Sequence, residues 1–287
     1  IHAQKNTFKV MAWNILHGGN DIENGPENVA KIIKEINPDI ILMIETYGSG
    51  PFIADYLNCN FHLVASKNTS LNDPSVNLSV FSKYSFGKRI DTEYPFYLGG
   101  IEIPINGKII RFFSNWFHYL PWDNEPEKMG KSVEELLEWE KTESRHEMIQ
   151  KVLPYLKKFA NETDSIPMIF GGDMNTLSHL DWTNKTKKFH NNLVVPWNAT
   201  EILADLGLID SYRKENPNPI THPGITWDKK GRKDSHRIDY IFYKGKSIKS
   251  IKSNSYNAYF NESIIINDKQ IPYPSDHGIV VTTFEFR

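Results

Sequence analysis

The chain has 287 residues, of which 39% are hydrophobic and 13% aromatic, a composition typical of a globular protein with a substantial core. Its 33 basic and 35 acidic side chains give a formal net charge of -2, which excludes a strong overall attraction to nucleic acid but not a locally basic groove. The single cysteine, Cys59, excludes an internal disulfide and a cysteine-based zinc site, and we expect it to be a small buried side chain. No apolar stretch of the sequence approaches the roughly 20 residues that span a bilayer.

Residues 7–287 are predicted to form a single domain, because no segment rich in proline, glycine or serine divides them. We expect this domain to be a monomer. Residues 1–6 are interpreted as the remnant of a signal region, since the sequence starts without methionine and Ala3 is a small residue of the kind found near cleavage sites. The resulting expectation is export to the periplasm or the extracellular space.

The first third of the chain predicts strands that end in polar residues. Alternating polar and apolar residues predict a strand over residues 7–15, which ends at Asn14. Residues 26–36 carry apolar side chains at helical spacing and are predicted to form a helix. Residues 39–45 are almost purely apolar until Glu45, so they predict a buried strand with a carboxylate at its end.

A series of short strands is predicted over residues 61–116, where turn signals separate apolar runs. Asn106-Gly107 is the strongest hairpin signal, and the strand that follows it runs into His118. His118 lies among aromatic residues, so it is either a structural histidine or a functional residue at a strand end.

Helical spacing of apolar residues recurs in the second half of the chain. It predicts a helix around residues 133–139, an amphipathic helix over residues 144–159 and a short helix around residues 201–206. The second of these should bend or restart near Pro154, because proline removes a helical hydrogen bond.

Residues 166–179 contain an apolar run that stops at Gly171-Gly172 and then presents Asp173 and Asn175. Side chains two residues apart point the same way at a strand end, so this carboxylate and this amide lie together. A polar turn explains the pattern as well, because Gly, Asp and Asn favour turns. If the corner binds phosphate, the glycines would allow the phosphate to approach the strand end.

Two further strands carry ionisable residues at their ends. Residues 235–243 form a predicted strand that begins with Arg237 and Asp239, and Asp276-His277 precedes an alternating strand over residues 278–286. An aspartate that orients an imidazole is an arrangement used for proton transfer and charge stabilisation.

The polar residues at the predicted strand ends are rich in oxygen ligands, which is the donor set of Mg²⁺, Mn²⁺ or Ca²⁺ rather than of zinc. Together with a candidate Asp–His pair, they suggest metal-assisted attack of water on a phosphate ester. These residues are Asn14, Glu45, His118, Asp173, Asn175, Asp239, Asp276 and His277.

Short motifs occur in a fixed order along the chain: Trp13-Asn14, Ile44-Glu45, Gly172-Asp173-Met174-Asn175, Arg237-Ile238-Asp239-Tyr240 and Ser275-Asp276-His277. In this order they resemble the endonuclease/exonuclease/phosphatase superfamily, which includes pancreatic-type deoxyribonucleases, AP endonucleases, neutral sphingomyelinases and inositol polyphosphate 5-phosphatases. The resemblance implies an α/β (α+β) fold, a four-layer αββα sandwich of two mostly antiparallel sheets flanked by helices. It also implies an active site at one edge of the sandwich.

The same resemblance implies a metal site and its cofactor. Glu45 would be the principal metal ligand, with Asn14 and Asp276 beside it directly or through water. The cofactor would be Mg²⁺, with Mn²⁺ or Ca²⁺ as alternatives. Ile44 departs from the family, which usually has glutamine at this position.

For the reaction itself, the resemblance implies that Asp173 orients or deprotonates the attacking water and that Asn175 holds this water or a phosphate oxygen. His277, oriented by Asp239, would bind the phosphate and stabilise its developing charge. Which of Asp173 and His277 is the base stays open at this point. The remaining candidates are His118 as the acid for the leaving oxygen, and Arg237 and Trp227 as substrate-binding residues.

The predicted function is a divalent-metal-dependent phosphodiester hydrolase that resembles a nuclease and acts on nucleic acid, a lipid headgroup or a small molecule. One alternative is a headgroup hydrolase similar to phospholipase C or sphingomyelinase, and the aromatic residues beside His118 favour it. A second alternative is a phosphomonoesterase. An alternative of another class is a catalytically inert ligand-binding module. The sequence also contains a basic loop, which either is exposed to solvent without a role in binding or binds an anionic substrate. The aromatic residues are Trp116, Phe117, Tyr119 and Trp122, and the basic loop contains Lys229, Lys230, Arg232 and Lys233.

Overall fold

The computed structural model describes residues 6–227 and 235–287, so the predicted basic loop of residues 229–233 lies outside the described residues. The strands are β1 (Thr7–Asn14), β2 (Ile40–Ile44), β3 (Asn60–Leu63), β4 (Ser79–Ser82), β5 (Arg89–Ile90), β6 (Leu98–Ile105), β7 (Lys108–Trp116), β8 (Met168–Asp173), β9 (Ile209–Asp210), β10 (Asp239–Lys244), β11 (Ile248–Tyr256), β12 (Ser263–Ile266), β13 (Lys269–Pro272) and β14 (Ile279–Phe286). The α-helices are α1 (Gly25–Ile36), α2 (Gly50–Leu57), α3 (Val133–Glu140), α4 (Ser144–Asn161), α5 (Asn198–Asp205) and α6 (Ser211–Glu215).

Most strands belong to two six-stranded sheets. The first sheet has the order β11-β14-β1-β2-β4-β3, and the second has the order β5-β6-β7-β8-β10-β9. Each sheet is mostly antiparallel, with β1–β2 parallel in the first and β7–β8 parallel in the second. The remaining strands, β12 and β13, form a separate hairpin.

Apolar side chains arrange these elements in four layers. The two sheets bury one shared cluster, to which β1 contributes Val10 and Ala12 and β8 contributes Ile169. The opposite face of β1 carries Met11 and Trp13, which pack with α1, α2 and the β12–β13 hairpin. On the outer face of the second sheet, apolar residues of β7, β8 and β10 pack with α4 and α5. The predicted αββα sandwich is therefore confirmed.

Strand register brings polar residues to one edge of the sandwich. Asn14 pairs with Ile44, directly before Glu45, at the end of the parallel pair β1–β2. Asp173 pairs with Trp116 in the parallel pair β7–β8 and with Asp239 in the antiparallel pair β8–β10. Because parallel strands end at the same edge, the two parallel pairs deliver their following residues to a common place.

Several predicted elements are confirmed, and others differ from the prediction. The Asn106-Gly107 hairpin joins β6 and β7, with both turn residues at positive φ. The α4 helix continues through Pro154 and does not restart there. Cys59 is half-buried rather than fully buried, and burial raises the pKa of its thiol to about 11. The sequence patterns predicted neither α2 nor the strands β11 to β13.

The described part of the chain contains no helix that is both long enough and apolar enough to cross a membrane.

Gly172 is required by the packing of the second sheet. Its φ is +155°, and a Cβ at this position would lie 2.0 Å from the Asn115 carbonyl oxygen of β7. Such a distance is far below a van der Waals contact, so a side chain would force β7 and β8 apart. This packing gives Gly172 a role within the sheet, and the expectation that the glycines allow phosphate to approach the strand end stays a prediction.

We predict that Gly172→Ala lowers the free energy of unfolding by about 3 kcal/mol or more, because the new methyl group cannot be accommodated between two paired strands. The matched control is Gly107→Ala, since Gly107 also has positive φ (+76°) but nothing lies within 4 Å of an added Cβ. This control should lose about 1 kcal/mol. Urea unfolding of both variants measures the difference, and equal losses would contradict the packing explanation.

Candidate active site

The site lies where residues from both sheets meet. Asn14 is the last residue of β1, Glu45 follows β2, and Asp173 is the last residue of β8. Asp239 begins β10, and His277 lies two residues before β14. The strands thus place side chains that are far apart in sequence at one edge.

The Asn14 side chain joins the two sheets. Its amide nitrogen donates to Glu45 Oε1 at 3.0 Å and to Asp173 Oδ2 at 3.1 Å. Glu45 Oε2 accepts a hydrogen bond from the His17 backbone N–H at 2.8 Å. Both amide hydrogens of Asn14 are therefore used to hold carboxylates in place.

Asp173 is a buried carboxylate surrounded by donors. Asn175 donates to it twice, from its backbone N–H to Oδ1 at 2.9 Å and from its side-chain amide to Oδ2 at 3.0 Å. Burial nevertheless raises the pKa of Asp173 to about 8, assisted by the charge of Asp239 and opposed by that of His277. A carboxyl group with such a pKa holds a proton far more strongly than an exposed aspartate.

His277 forms a buried pair with Asp239. Its Nδ1 lies 3.0 Å from Asp239 Oδ2, and its Nε2 lies 3.7 Å from Asp173 Oδ2. Burial lowers the pKa of the imidazole, but the carboxylates of Asp239, Asp173 and Asp276 outweigh burial and raise this pKa well above 6.5. The ring is therefore held as an imidazolium at neutral pH.

The backbone of His277 is fixed by Trp13 and Ser275, which belong to the sequence motifs, and by Tyr273, which does not. Its carbonyl accepts hydrogen bonds from the Tyr273 hydroxyl at 2.6 Å and from Trp13 Nε1 at 3.2 Å. The Ser275 hydroxyl accepts from the His277 N–H at 3.0 Å and donates to the Asn14 carbonyl at 2.6 Å. The contacts with Trp13 and Asn14 join segments that are more than 250 residues apart in sequence, so local patterns could not have indicated them.

A hydroxyl holds the start of β10 in the same way. The Thr226 side chain accepts hydrogen bonds from the N–H groups of Ile238 and Asp239, both at 3.1 Å. The next residue, Trp227, contacts the His277 ring, with 4.9 Å between the ring centroids. The segment around residue 226 therefore fixes both members of the Asp239–His277 pair.

A cavity of about 330 Å³ opens directly over these groups. Its walls combine acidic and aromatic side chains, and the described residues that line it include no lysine or arginine. The lining consists of Leu16, Glu45, Trp116, Tyr119, Trp122, Asp173, Asn175, Trp227, Ile238, Asp276 and His277.

His118 lies beside this cavity but is not among the described residues that line it. Its ring contacts Trp116 and Tyr119, which do line the cavity. His118 Nδ1 accepts a hydrogen bond from the Leu120 N–H at 3.2 Å and lies 2.7 Å from the Ser144 hydroxyl. Because Nδ1 acts as an acceptor, the proton of the neutral ring resides on Nε2. Burial lowers the pKa of this imidazole.

Arg237 lies away from the cavity, in contrast to the role expected for it. Its side chain is buried and donates to both carboxylate oxygens of Asp181, at 2.8 and 3.1 Å, and to Asp210 at 2.7 Å. These bonds engage its guanidinium within the protein. The geometry therefore supports a framework role for Arg237 and gives no support for substrate binding.

Two carboxylate oxygens at the site have unused bonding capacity. Among the described residues, neither Asp239 Oδ1 nor Asp276 Oδ1 has a hydrogen-bond partner, although both atoms are buried. Among the described residues, Asp173, Asp239 and His277 offer possible metal-ligand atoms that lie within 4.8 Å of one another. Since His277 is engaged with Asp239, the oxygens of Glu45 and Asp276 suit a hard divalent cation better than this group does. The donor set fits such an ion.

Comparisons with known proteins agree with this architecture. The model of the Endonuclease/Exonuclease/phosphatase family matches residues 11–277. An uncharacterised protein of Caenorhabditis elegans is 27% identical over 311 residues, covering 99% of this chain and 93% of that protein.

Solved structures are similar in fold at low sequence identity. D. rerio TDP2, complexed with a single-strand DNA product, has a TM-score of 0.62 and 14% identity, covering 98% of this chain and 100% of that chain. An AP endonuclease from Archaeoglobus fulgidus has a TM-score of 0.60 and 18% identity, covering 96% of this chain and 98% of that chain.

We predict that Asp239→Asn lowers the pKa of His277 toward its usual range, because it removes the nearest carboxylate charge from the imidazole. The measurement is an NMR titration of the imidazole C–H resonances in the presence of EDTA. Asp276→Asn is the control, since Asp276 Oδ1 lies 4.0 Å from His277 Nε2 and should contribute less. A larger fall in Asp276→Asn than in Asp239→Asn would contradict this assignment.

Proposed function

The chain belongs to the Endonuclease/Exonuclease/phosphatase family, and we propose that it is a divalent-metal-dependent phosphodiesterase. The observation that carries the proposal is the convergence of Asp173 with the Asp239–His277 pair beneath an open cavity. A carboxylate next to an oriented imidazolium can activate water and stabilise negative charge within the same site.

Glu45 and Asp276 would hold the cation, with Asn14 alongside, and Mg²⁺ is the ion we propose, with Mn²⁺ or Ca²⁺ as substitutes. When bound, a divalent cation polarises the phosphoryl oxygens and neutralises charge that develops on them. The unpaired Asp276 Oδ1 supports this assignment. The Asn14 amide keeps the Glu45 carboxylate oriented for the same purpose.

Asp173 is the proposed base. Its raised pKa makes it an effective proton acceptor once deprotonated, whereas His277 already carries its proton. The attacking water would lose a proton to Asp173, and His277 would donate a hydrogen bond from Nε2 to a phosphate oxygen. Asn175 supports this step by orienting Asp173 rather than by holding phosphate, since both hydrogens of its amide are bonded to Asp173 and to the Phe117 carbonyl.

His118 is proposed to stabilise the leaving oxygen by a hydrogen bond from Nε2–H, because the acid role expected for it requires an imidazolium, which its lowered pKa disfavours. Its Nε2 carries the proton of the neutral ring, because Nδ1 accepts a hydrogen bond from Leu120. The contacts of its ring with Trp116 and Tyr119 keep it at the side of the cavity.

We predict metal-dependent hydrolysis of bis(p-nitrophenyl) phosphate that EDTA abolishes and excess Mg²⁺ restores. Asp173→Asn should lower kcat by about 10²- to 10⁴-fold, because the water loses its base. Asp205→Asn is a matched control on the exposed side of α5 and should retain full activity. Unchanged turnover in EDTA, or full turnover in Asp173→Asn, would refute the proposal. Calorimetry that detects binding of phosphate without turnover under any metal would instead favour an inert binding module.

A nucleic acid is one candidate substrate, because the structurally similar D. rerio TDP2 was solved with a DNA product. Hydrolysis of a lipid headgroup ester is the second candidate. It is favoured by the aromatic wall of the cavity, which consists of Trp116, Tyr119, Trp122 and Trp227. Tyr119 is 51% exposed at the cavity, and no lysine or arginine occurs among the described lining residues. A protein that binds a strand of nucleic acid usually contacts the successive phosphates with lysine or arginine side chains. Export to the periplasm or the extracellular space remains a prediction for this phosphodiesterase.

To separate the two substrates, we propose to compare initial rates on plasmid DNA, on sphingomyelin vesicles and on p-nitrophenyl phosphate under identical Mg²⁺. If the aromatic wall binds lipid, Tyr119→Ser should lower the rate on vesicles by about tenfold and leave the rate on bis(p-nitrophenyl) phosphate within about threefold. Faster cleavage of plasmid DNA than of vesicles would favour the nuclease function. Preference for the monoester would indicate a phosphatase.

A further inference from the structure

Arg145 is a buried cation that lies directly behind the site. It belongs to the first turn of α4, and its side chain is 3% exposed. Burial lowers the pKa of its guanidinium to about 10, so it stays charged at neutral pH. A buried charge is costly unless its environment compensates it, so its contacts require an explanation.

These contacts join the two loops that carry the site. Arg145 Nη1 donates to the carbonyl oxygens of Asn175, which follows β8, and of Tyr119, which follows β7, at 3.3 Å in the latter case. The backbone N–H of Arg145 also donates to the Leu120 carbonyl at 3.0 Å. One residue of α4 therefore fixes the spacing between the loop with His118 and the loop with Asn175.

The Asn175 carbonyl is an informative point of attachment. Asn175 has a φ of +48°, a left-handed conformation that places its side chain back toward Asp173. A rotation of its backbone would break the paired hydrogen bonds to the Asp173 carboxylate. Fixing the Asn175 carbonyl therefore also fixes the N–H group and the side-chain amide of Asn175, which donate to Asp173, the proposed base.

Further hydrogen bonds hold Thr176, the residue that follows Asn175. The Thr176 carbonyl accepts a hydrogen bond from the Tyr240 hydroxyl at 2.8 Å, and the Thr176 hydroxyl lies 3.2 Å from Glu140 Oε1. Glu140 also raises the pKa of Arg145 through its charge, although the described residues form no direct ion pair with Arg145. Arg145 is therefore bonded to carbonyls of the site loops rather than to a carboxylate.

We propose that Arg145 is a positioning residue for catalysis. By holding Asn175 in its left-handed backbone conformation, it keeps Asp173 aligned with the reacting water. This inference rests on the proposed hydrolase function. It differs from a purely structural role because it predicts a loss in kcat that exceeds any loss explained by stability.

The test uses Arg145→Met and Arg145→Lys in the full chain, with bis(p-nitrophenyl) phosphate and Mg²⁺. Arg145→Met should lower kcat by about 10- to 100-fold with KM nearly unchanged, because a small displacement of a catalytic group slows the reacting step. Arg145→Lys should recover part of this loss, since an ammonium group can still donate to the Asn175 carbonyl. Full kcat in Arg145→Met would overturn the inference.

Arg111→Met is the matched control. Arg111 is 8% exposed on β7 and is bound to Glu102 and Glu162, away from the cavity. This variant should lose comparable stability in thermal unfolding and keep kcat within about twofold. A fall in kcat as large as that of Arg145→Met would assign both effects to general destabilisation and overturn the inference.

Failure of the hydrolase function can be distinguished from failure of this inference. If the wild-type chain turns over no phosphodiester, the proposed function fails, and crystal structures of wild type and Arg145→Met then test the positioning directly. Displacement of the Asn175 backbone or loss of its hydrogen bonds to Asp173 would support the role of Arg145. An unchanged Asn175 backbone with intact hydrogen bonds to Asp173 would overturn the proposed role of Arg145. If Arg145→Met does not fold, Arg145→Lys supplies the test through kcat, because one ammonium group holds the carbonyls of Asn175 and Tyr119 less well than the guanidinium does, and a kcat equal to that of wild type would overturn the inference.

Discussion

A buried carboxylate at the junction of the two sheets is the constraint on which the site depends. Asp173 ends β8 in one sheet, and Asn14, which donates to it, ends β1 in the other. Removing a carboxylate from water is unfavourable unless protein donors replace the lost hydration. Those donors come from Asn14 and Asn175, and they offset only part of this cost, since the pKa of Asp173 is still raised to about 8. The geometry of the edge and the chemistry of Asp173 are consequently inseparable.

The sheet topology explains why this edge collects so many polar groups. The parallel pairs β1–β2 and β7–β8 both end there, and the antiparallel strand β10 begins there with Asp239. Gly172 permits the close pairing of β7 and β8 just before Asp173, since a Cβ would collide with Asn115. Backbone packing therefore determines where the carboxylate emerges, and the hydrogen bonds then determine its orientation.

Local patterns predicted most of the strands and the candidate residues at their ends, because each strand end is marked by an abrupt change from apolar to polar residues. The convergence of Asn14, Asp173 and His277 required the family resemblance, since spacing alone does not reveal which strands are neighbours. Contacts such as Thr226 with Asp239 and Arg145 with Asn175 left no local signal, because any helix or loop can carry a threonine or an arginine. Arg237 illustrates the opposite case: its motif was evident, but its partners, Asp181 and Asp210, come from distant segments.

Electrostatic balance links the geometry to the proposed cofactor. The site brings the carboxyl groups of Asp173, Asp239 and Asp276 around one imidazole and places Glu45 in the same cavity, and no described lining residue is a lysine or arginine. A phosphodiester adds a further negative charge, and like charges within a few ångströms repel strongly where water is excluded. The His277 imidazolium offsets only part of this repulsion. A divalent cation at Glu45 and Asp276 would offset the remainder, so we expect it to assist substrate binding as well as the attack on phosphorus.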